Sequence, residues 1–240
     1  MTTQASEPAA APRAPVSASG VTPSEVADGA AMYTRKALRK YDTILHLNTR
    51  WVWRCHHDEI LRRYEAALGA AHLEIGVGSG ECPDRARFPV ERPDLTLLDL
   101  NPYTLEFASE RLARYAPRAV RANALEPLDR AGVPAGAFDS VAVNLVLHCV
   151  PGDLTAKRAV LENAAAAARP GGTVVGSTVL GAGVPRTPYA RRRMRRLNER
   201  GIFHNSADSL GDLAKVLGRT FADFDLEVRG CMALFTATTA

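Results

Sequence analysis

Cysteine is scarce in this 240-residue chain, and the four that occur, Cys55, Cys82, Cys149 and Cys231, are scattered with no CxxC pair. That spacing excludes a disulfide framework or a zinc ribbon and fits a cytoplasmic protein with reduced thiols. Long apolar runs are missing too. The longest is broken by Asn144 and His148, well short of the roughly 18 residues that a membrane span needs. The N-terminus lacks the basic-then-apolar pattern of a secretory signal, so none is expected. Neither sign of charge dominates: 30 basic residues against 26 acidic leave a net +4, too even a balance to imply nucleic acid. Large apolar side chains are nearly absent from residues 1–22, which are mostly Ala, Pro, Ser and Thr. Such a stretch cannot offset the entropy of its own ordering, and a disordered tail is expected.

Elsewhere the composition is that of a folded domain, 46% hydrophobic and long enough for one full core. Pro23-Ser24-Glu25 starts a helical pattern that runs with interruptions to about Arg50, and Ile60, Tyr64, Ala67 and Leu68 stripe a second helix. Between them, Trp51-Val-Trp-Arg-Cys-His-His57 holds both tryptophans, which either close the core or wall a pocket. Apolar strand candidates then begin near 71, 95, 118, 140 and 173, each interval leaving room for the crossover that parallel βαβ units need. The first crossover is rich in proline and its helix should be short; the second carries Leu105, Ala108, Leu112 and Tyr115 on one face. Gly152 and Asp153 precede an alanine-rich helix that Arg169-Pro-Gly-Gly172 should stop, with a fifth strand from Thr173 to Leu180. Tyr189 to Asn198 reads as a strongly basic helix, Ser206 as the cap of another, and two strand-like runs meet at Gly230 as an antiparallel hairpin. The chain is α/β: cap helices over 23–70, a core over 71–180, a cap insertion over 181–205, and a last helix and hairpin over 206–240.

The centre of the chain is Leu73-Glu-Ile-Gly-Val-Gly-Ser-Gly80, a strand running into a turn with Gly76, Gly78 and Gly80 at alternate positions. Glycines there let a ligand approach main-chain atoms that a Cβ would shield. Glu74 would repel a pyrophosphate but attract an ammonium or sulfonium, which favours S-adenosylmethionine over NAD. One βα unit on, Leu97-Leu-Asp-Leu-Asn-Pro102 ends a second strand on Asp99, an acid able to accept both ribose hydroxyls of an adenosine. With these two motifs the sequence resembles the class I S-adenosylmethionine-dependent methyltransferases over roughly residues 70–240, and within them small-molecule methyltransferases of specialised metabolism. The resemblance implies a Rossmann-like seven-stranded sheet, mostly parallel, whose last strand lies between the fifth and sixth, with a helical cap. It also implies a cofactor site of Glu74, Gly76, Gly78, Gly80, Asp99, Leu100, Asn123, Ala124, Asn144 and Leu145. Asn123 stands where the class usually has an aspartate for the adenine amino group; its side-chain carbonyl can accept the same bond, or it only stabilises the turn.

For the reaction itself His148, just beyond the cofactor-contacting stretch, is the first candidate base, with a structural role as the alternative. His204 is its rival, His56 and His57 are weaker, and His46 has no visible partner. The motif of base-modifying amine methyltransferases and the acids of metal-dependent catechol enzymes are both missing, so no metal is expected. Arg186, Arg191, Arg192, Arg193, Arg195, Arg196 and Arg200 cannot share one helical face; they read as a solvated lid or as an attractor of acidic substrates. The expected acceptor is a small enclosed molecule, methylated first on oxygen and alternatively on nitrogen or carbon. No nucleic-acid or membrane partner is expected, and the protein should be a monomer or homodimer. A regulator that binds the cofactor without turnover and a dehydrogenase are the other classes that the motifs leave open.

Overall fold

The computed structural model describes residues 35–240, so the expected tail and the start of the first helix lie outside the described residues. Seven strands form one sheet: β1 (Ala71–Ile75), β2 (Asp94–Asp99), β3 (Arg118–Arg121), β4 (Phe138–Asn144), β5 (Ala168–Val179), β6 (Asp223–Arg229) and β7 (Met232–Thr238). Their order is β3-β2-β1-β4-β5-β7-β6. The first five are parallel, whereas β7 runs antiparallel to both β5 and β6. This is the mostly parallel sheet with a C-terminal hairpin that the resemblance implied, including a last strand inserted between the fifth and sixth.

Seven helices flank the sheet among the described residues: α1 (Arg35–Leu47), α2 (His57–Ala67), α3 (Glu81–Arg85), α4 (Pro102–Arg111), α5 (Leu154–Ala167), α6 (Pro188–Glu199) and α7 (Leu210–Thr220). Successive strand residues face opposite ways, which divides the core. Leu73, Ile75, Val141 and Val143 join α5 and α7 residues such as Leu161 and Leu217 in one cluster. Ala142 and Val175 instead meet Tyr64 of α2. The proline-rich first crossover leaves α3 only five residues long, and Leu105, Ala108 and Leu112 do share a buried face, with Tyr115 packed against it. Asp153 caps α5 by accepting from the Thr155 and Ala156 amides.

Three local expectations need correction. Ser206 does not cap α7. Its hydroxyl donates to Asn198, and Ser209 is the cap, accepting from the Asp212 amide. Arg169-Pro-Gly-Gly172 ends α5 as expected but belongs to β5, where the pairing with β4 slips between Phe138 and Ser140; a bulge absorbs the turn-forming residues. The helical pattern toward Arg50 widens into a π-helical turn over Asn48–Trp53 and ends at Arg54 with φ +59°.

That turn holds the cap together. Val52 and Trp53 pack with Ala190 and Met194 of α6, with Phe203, and with Met232 and Leu234 of β7. Gly230 has φ +58° at the hairpin, and a Cβ there would lie 2.1 Å from the Trp53 carbonyl oxygen, so only glycine fits. Beneath the cap lies a buried ion pair. Lys157 Nζ donates to Asp208 Oδ2 at 2.6 Å and to the His204 carbonyl at 2.8 Å, both side chains being fully buried. The Asp208 carbonyl in turn accepts from the Gly181 and Ala182 amides, tying β5's exit to the segment before α7.

Candidate active site

Four neighbouring parallel strands end side by side, and their carboxyl ends line one crevice. Gly76 and Gly78 follow β1, Asp99 and Leu100 end β2, Asn123 and Ala124 follow β3, and Leu145 follows β4. Gly76 and Gly78 both adopt positive φ, +71° and +58°. A Cβ on Gly76 would meet a Val146 methyl at 2.4 Å, while the atom nearest a Cβ on Gly78 is a ring carbon of Tyr41 at 3.7 Å. The first glycine is needed to close the turn, the second to leave its backbone open. Asp99 accepts from the Asn101 amide at 2.9 Å, and burial pushes its carboxyl up to about 6 against the pull of backbone N–H donors. Asn123 Oδ1 accepts from the Leu125 amide at 3.0 Å, which uses one of two lone pairs and leaves one for a ligand. Thr104 also lines the crevice, and its buried hydroxyl has no hydrogen-bond partner among the described residues. An acid, an amide carbonyl, an orphaned hydroxyl and open glycine backbone in one crevice fit an adenosyl cofactor with its ribose at Asp99.

Three expected cofactor residues are not brought to this crevice. Glu74 points to the opposite face of β1 from Leu73 and Ile75, where it accepts from Tyr64 Oη at 2.8 Å and lies 3.1 Å from His72 Nε2. Strand alternation decides this: the charge argument placed Glu74 near the glycine turn without asking which face it occupies. Gly80 caps α3 with φ +75°, and a Cβ there would press on Ala108 at 3.2 Å, so it serves helix packing. Asn144 accepts from Ser177 Oγ at 2.9 Å inside the sheet.

A second cavity, of about 350 Å³, opens under the cap and touches the first at Leu145 and Cys149, which line both. Leu145 holds φ +59°, a strained setting for a branched side chain, at the junction of the two spaces. Tyr41, Ile44, Trp53, Phe203 and Ile202 give the second cavity apolar walls, and Lys40, Arg193 and Arg200 add basic groups. The two readings of the tryptophan segment therefore divide: Trp53 is buried and walls the cavity, whereas Trp51 is 65% exposed. The arginine cluster divides as well. Arg193 and Arg200 line the cavity, while Arg191, Arg192, Arg195 and Arg196 are exposed.

His148 lines this cavity, but its geometry departs from that of a base. Its Nδ1 accepts from the Val179 amide at 3.2 Å, with the Thr178 hydroxyl at 3.4 Å. A backbone N–H can only donate, so Nδ1 carries no proton and the neutral ring is protonated on Nε2. Taking up a further proton would break that bond. Burial, and then the Lys157 ammonium, push the imidazole down to about 3. His204 donates from its ring to the Gly201 carbonyl at 3.1 Å and lines neither cavity; its amide holds the His148 carbonyl at 2.7 Å. Tyr41, Trp53, Thr104, Cys149, Phe203, Arg193 and Arg200 are the site residues that carried no motif. They come from four separated segments, and only folding brings them together.

Comparison with known proteins places the chain in a family. Residues 73–174 match the model of a methyltransferase domain. Over 216 residues the chain is 44% identical to demethylluteothin O-methyltransferase of Streptomyces thioluteus, covering 90% of this chain and 93% of that one. It is 33% identical to the physcion biosynthesis cluster O-methyltransferase of Aspergillus chevalieri, covering 90% and 96%. Among solved structures, phosphoethanolamine N-methyltransferase 2 of Haemonchus contortus, determined with S-adenosyl-L-methionine, superposes with a TM-score of 0.67 at 14% identity over 92% of this chain and 60% of that one, a likeness of fold. From the crevice at the strand ends and these relatives together, the chain belongs to the S-adenosylmethionine-dependent methyltransferases.

Proposed function

We propose that this enzyme methylates an oxygen of a small natural product, and that the acceptor hydroxyl is acidic enough, as an enol or phenol, to enter as its oxyanion. The observation that carries this reading is the second cavity: it abuts the cofactor crevice, its walls are apolar, and its charged groups are Lys40, Arg193 and Arg200. No carboxylate lines it among the described residues, and His148 is held neutral with its Nδ1 occupied. A hydroxyl that needed a strong base would find none there among the described residues. One that ionises on its own is stabilised by guanidinium and ammonium groups. Relatives named as O-methyltransferases of natural-product pathways support oxygen as the target atom.

The bound cofactor supplies a methyl group on a cationic sulfur, which keeps the bonding electron pair when the methyl leaves. The protein's part is alignment in a dry space. Asp99 and Asn123 would hold the adenosine end and the open backbone at Gly78 would admit the methionine end, while Leu145 and Cys149 line both cavities where they meet. Trp53 and Phe203, with ring centroids 5.8 Å apart, shut out water above. We read the transfer as metal-independent because a sulfonium is already an activated methyl donor; the donor cluster His46, His57 and Glu81 lines neither of these two cavities. Burial pushes the thiols of Cys55 and Cys231 up to about 12 and about 11, which keeps them protonated and unreactive near neutral pH.

The test is release of S-adenosylhomocysteine with a panel of phenols and enols of graded acidity, for the wild type and for a double variant Arg193→Gln, Arg200→Gln. The reading expects kcat/KM to rise with the ionised fraction of the acceptor, and the double variant to raise KM about tenfold without changing cofactor affinity, the scale of one charge-assisted contact. Preference for amines, or indifference to the two arginines, would contradict it.

A further inference from the structure

Away from both cavities, His46, His57 and Glu81 converge from three elements. His46 lies in the last turn of α1, His57 is the first residue of α2 and Glu81 the first of α3. One ligand-type atom from each lies within 4.8 Å of the other two. His46 Nε2 approaches Glu81 Oε1 to 2.7 Å, and His57 Nε2 stands 3.6 Å from Oε2. The two imidazoles stack with centroids 4.4 Å apart.

Ordinary packing does not satisfy this cluster. His57 is 2% exposed, yet neither of its ring nitrogens has a hydrogen-bond partner among the described residues. His46 Nε2 and Glu81 Oε2 are likewise buried without one, although His46 Nε2 is so close to the carboxylate. Buried polar atoms left unpaired are costly, and four in one place call for an occupant. Two imidazoles and a carboxylate form a donor set that holds a borderline divalent ion such as Zn²⁺ and leaves a position for water. With bonds of about 2.0–2.2 Å, tetrahedral ligand atoms sit roughly 3.2–3.6 Å apart, so the set needs to close by little more than 1 Å. An entry path exists: a surface cavity lined by His46, His57, Arg50, His56 and Asp58 opens onto the pair. The opposing charge is Arg85, 3.1 Å from Glu81 Oε1 but shared with Asp58.

We infer that His46, His57 and Glu81 form a site for a divalent transition-metal ion that clamps α1 to the start of α3. The site has a structural consequence for the cofactor crevice. The same α1 lays Tyr41 over Gly78, and its Asp42 accepts from Ser79 Oγ at 2.5 Å and from Arg111 at 2.7 Å. A filled site would fix that helix on the glycine turn, stabilising the cap without touching the reacting groups.

The test is calorimetric titration of chelator-treated protein with Zn²⁺, paired with the visible absorption of Co²⁺ as a coordination readout. The expected result is one equivalent bound, an intense low-symmetry Co²⁺ spectrum, and a higher melting temperature in the loaded protein. His46→Ala, at a partly exposed position, should weaken binding more than about tenfold and abolish the spectrum, as should Glu81→Gln and His57→Ala. Cofactor binding by each variant confirms that it is folded, and should His57→Ala fail to fold, His46→Ala decides. No binding by the wild type, or stoichiometry and affinity unchanged in the folded His46→Ala variant, would overturn the proposal.

Discussion

Asp99 ties the sequence to the cofactor most directly. Burial at the tip of β2 pushes its carboxyl up to about 6, and the ionised form is the stronger acceptor for ribose hydroxyls, since protonation turns one of its oxygens into a donor. With Asp99 on the ribose, cofactor affinity should be full above that value and fall as the pH drops through it, by up to about tenfold for each unit below it. Asp99→Ala should cost about 1–3 kcal/mol of binding and remove the pH dependence, which calorimetry at pH 5 and pH 8 would register. A wild-type affinity unchanged between those two pH values would rule out the ribose role. For His148, whose ring is neutral and spoken for at Nδ1, the expected kcat profile has no limb that His148→Gln removes; a limb lost in that variant would restore it as a base. These residues differ in how legible they were. Gly76, Gly78 and Asp99 could be read because a strand tip followed by glycine has few uses. Glu74 was read beside the glycine turn from its charge, which does not say which side of a strand a side chain takes; here it faces Tyr64 and His72.

At the scale of elements, the cap is held by few but expensive contacts. Lys157 of α5 is fully buried against Asp208, with burial lowering the ammonium's pKa and raising the carboxyl's, so each depends on the other. Removing one partner as Lys157→Met or Asp208→Leu strands a buried charge and should cost about 3–5 kcal/mol, while the double change should cost much less than the sum. Urea unfolding of the three variants measures this, and strict additivity would show that the pair is not coupled. Helix existence was legible from apolar stripes, as in Leu105, Ala108 and Leu112, because one face of α4 is buried in the core. Boundaries were not: Ser206 and Ser209 are both good caps, and the choice was made by Asn198, which takes the Ser206 hydroxyl for the lid. The second cavity was legible only in outline, as a cap over 23–70 and 181–205 with a tryptophan wall and an arginine cluster; which of those residues line it is decided by tertiary packing of α1, the π-helical turn, the stretch after β4 and α6.

For the whole molecule, the spacing of apolar segments left room for a crossover in each interval, which is compatible with parallel βαβ units, while the full sheet order came from the family resemblance. The hairpin followed from two runs meeting at Gly230, where backbone approach to Trp53 leaves no room for a side chain. What the sheet does is then set by position: cofactor residues at the strand ends, and an apolar, basic-rimmed cavity beside them. No helix among the described residues is long and apolar enough to cross a membrane. Tracing the methyl group tests the central claim most directly. Cofactor labelled with carbon-13 in its methyl, incubated with enzyme and an acidic phenol or enol, should give one methyl ether by NMR for each S-adenosylhomocysteine formed. A label found on nitrogen or carbon, or cofactor left intact with every hydroxylic acceptor, would contradict the account.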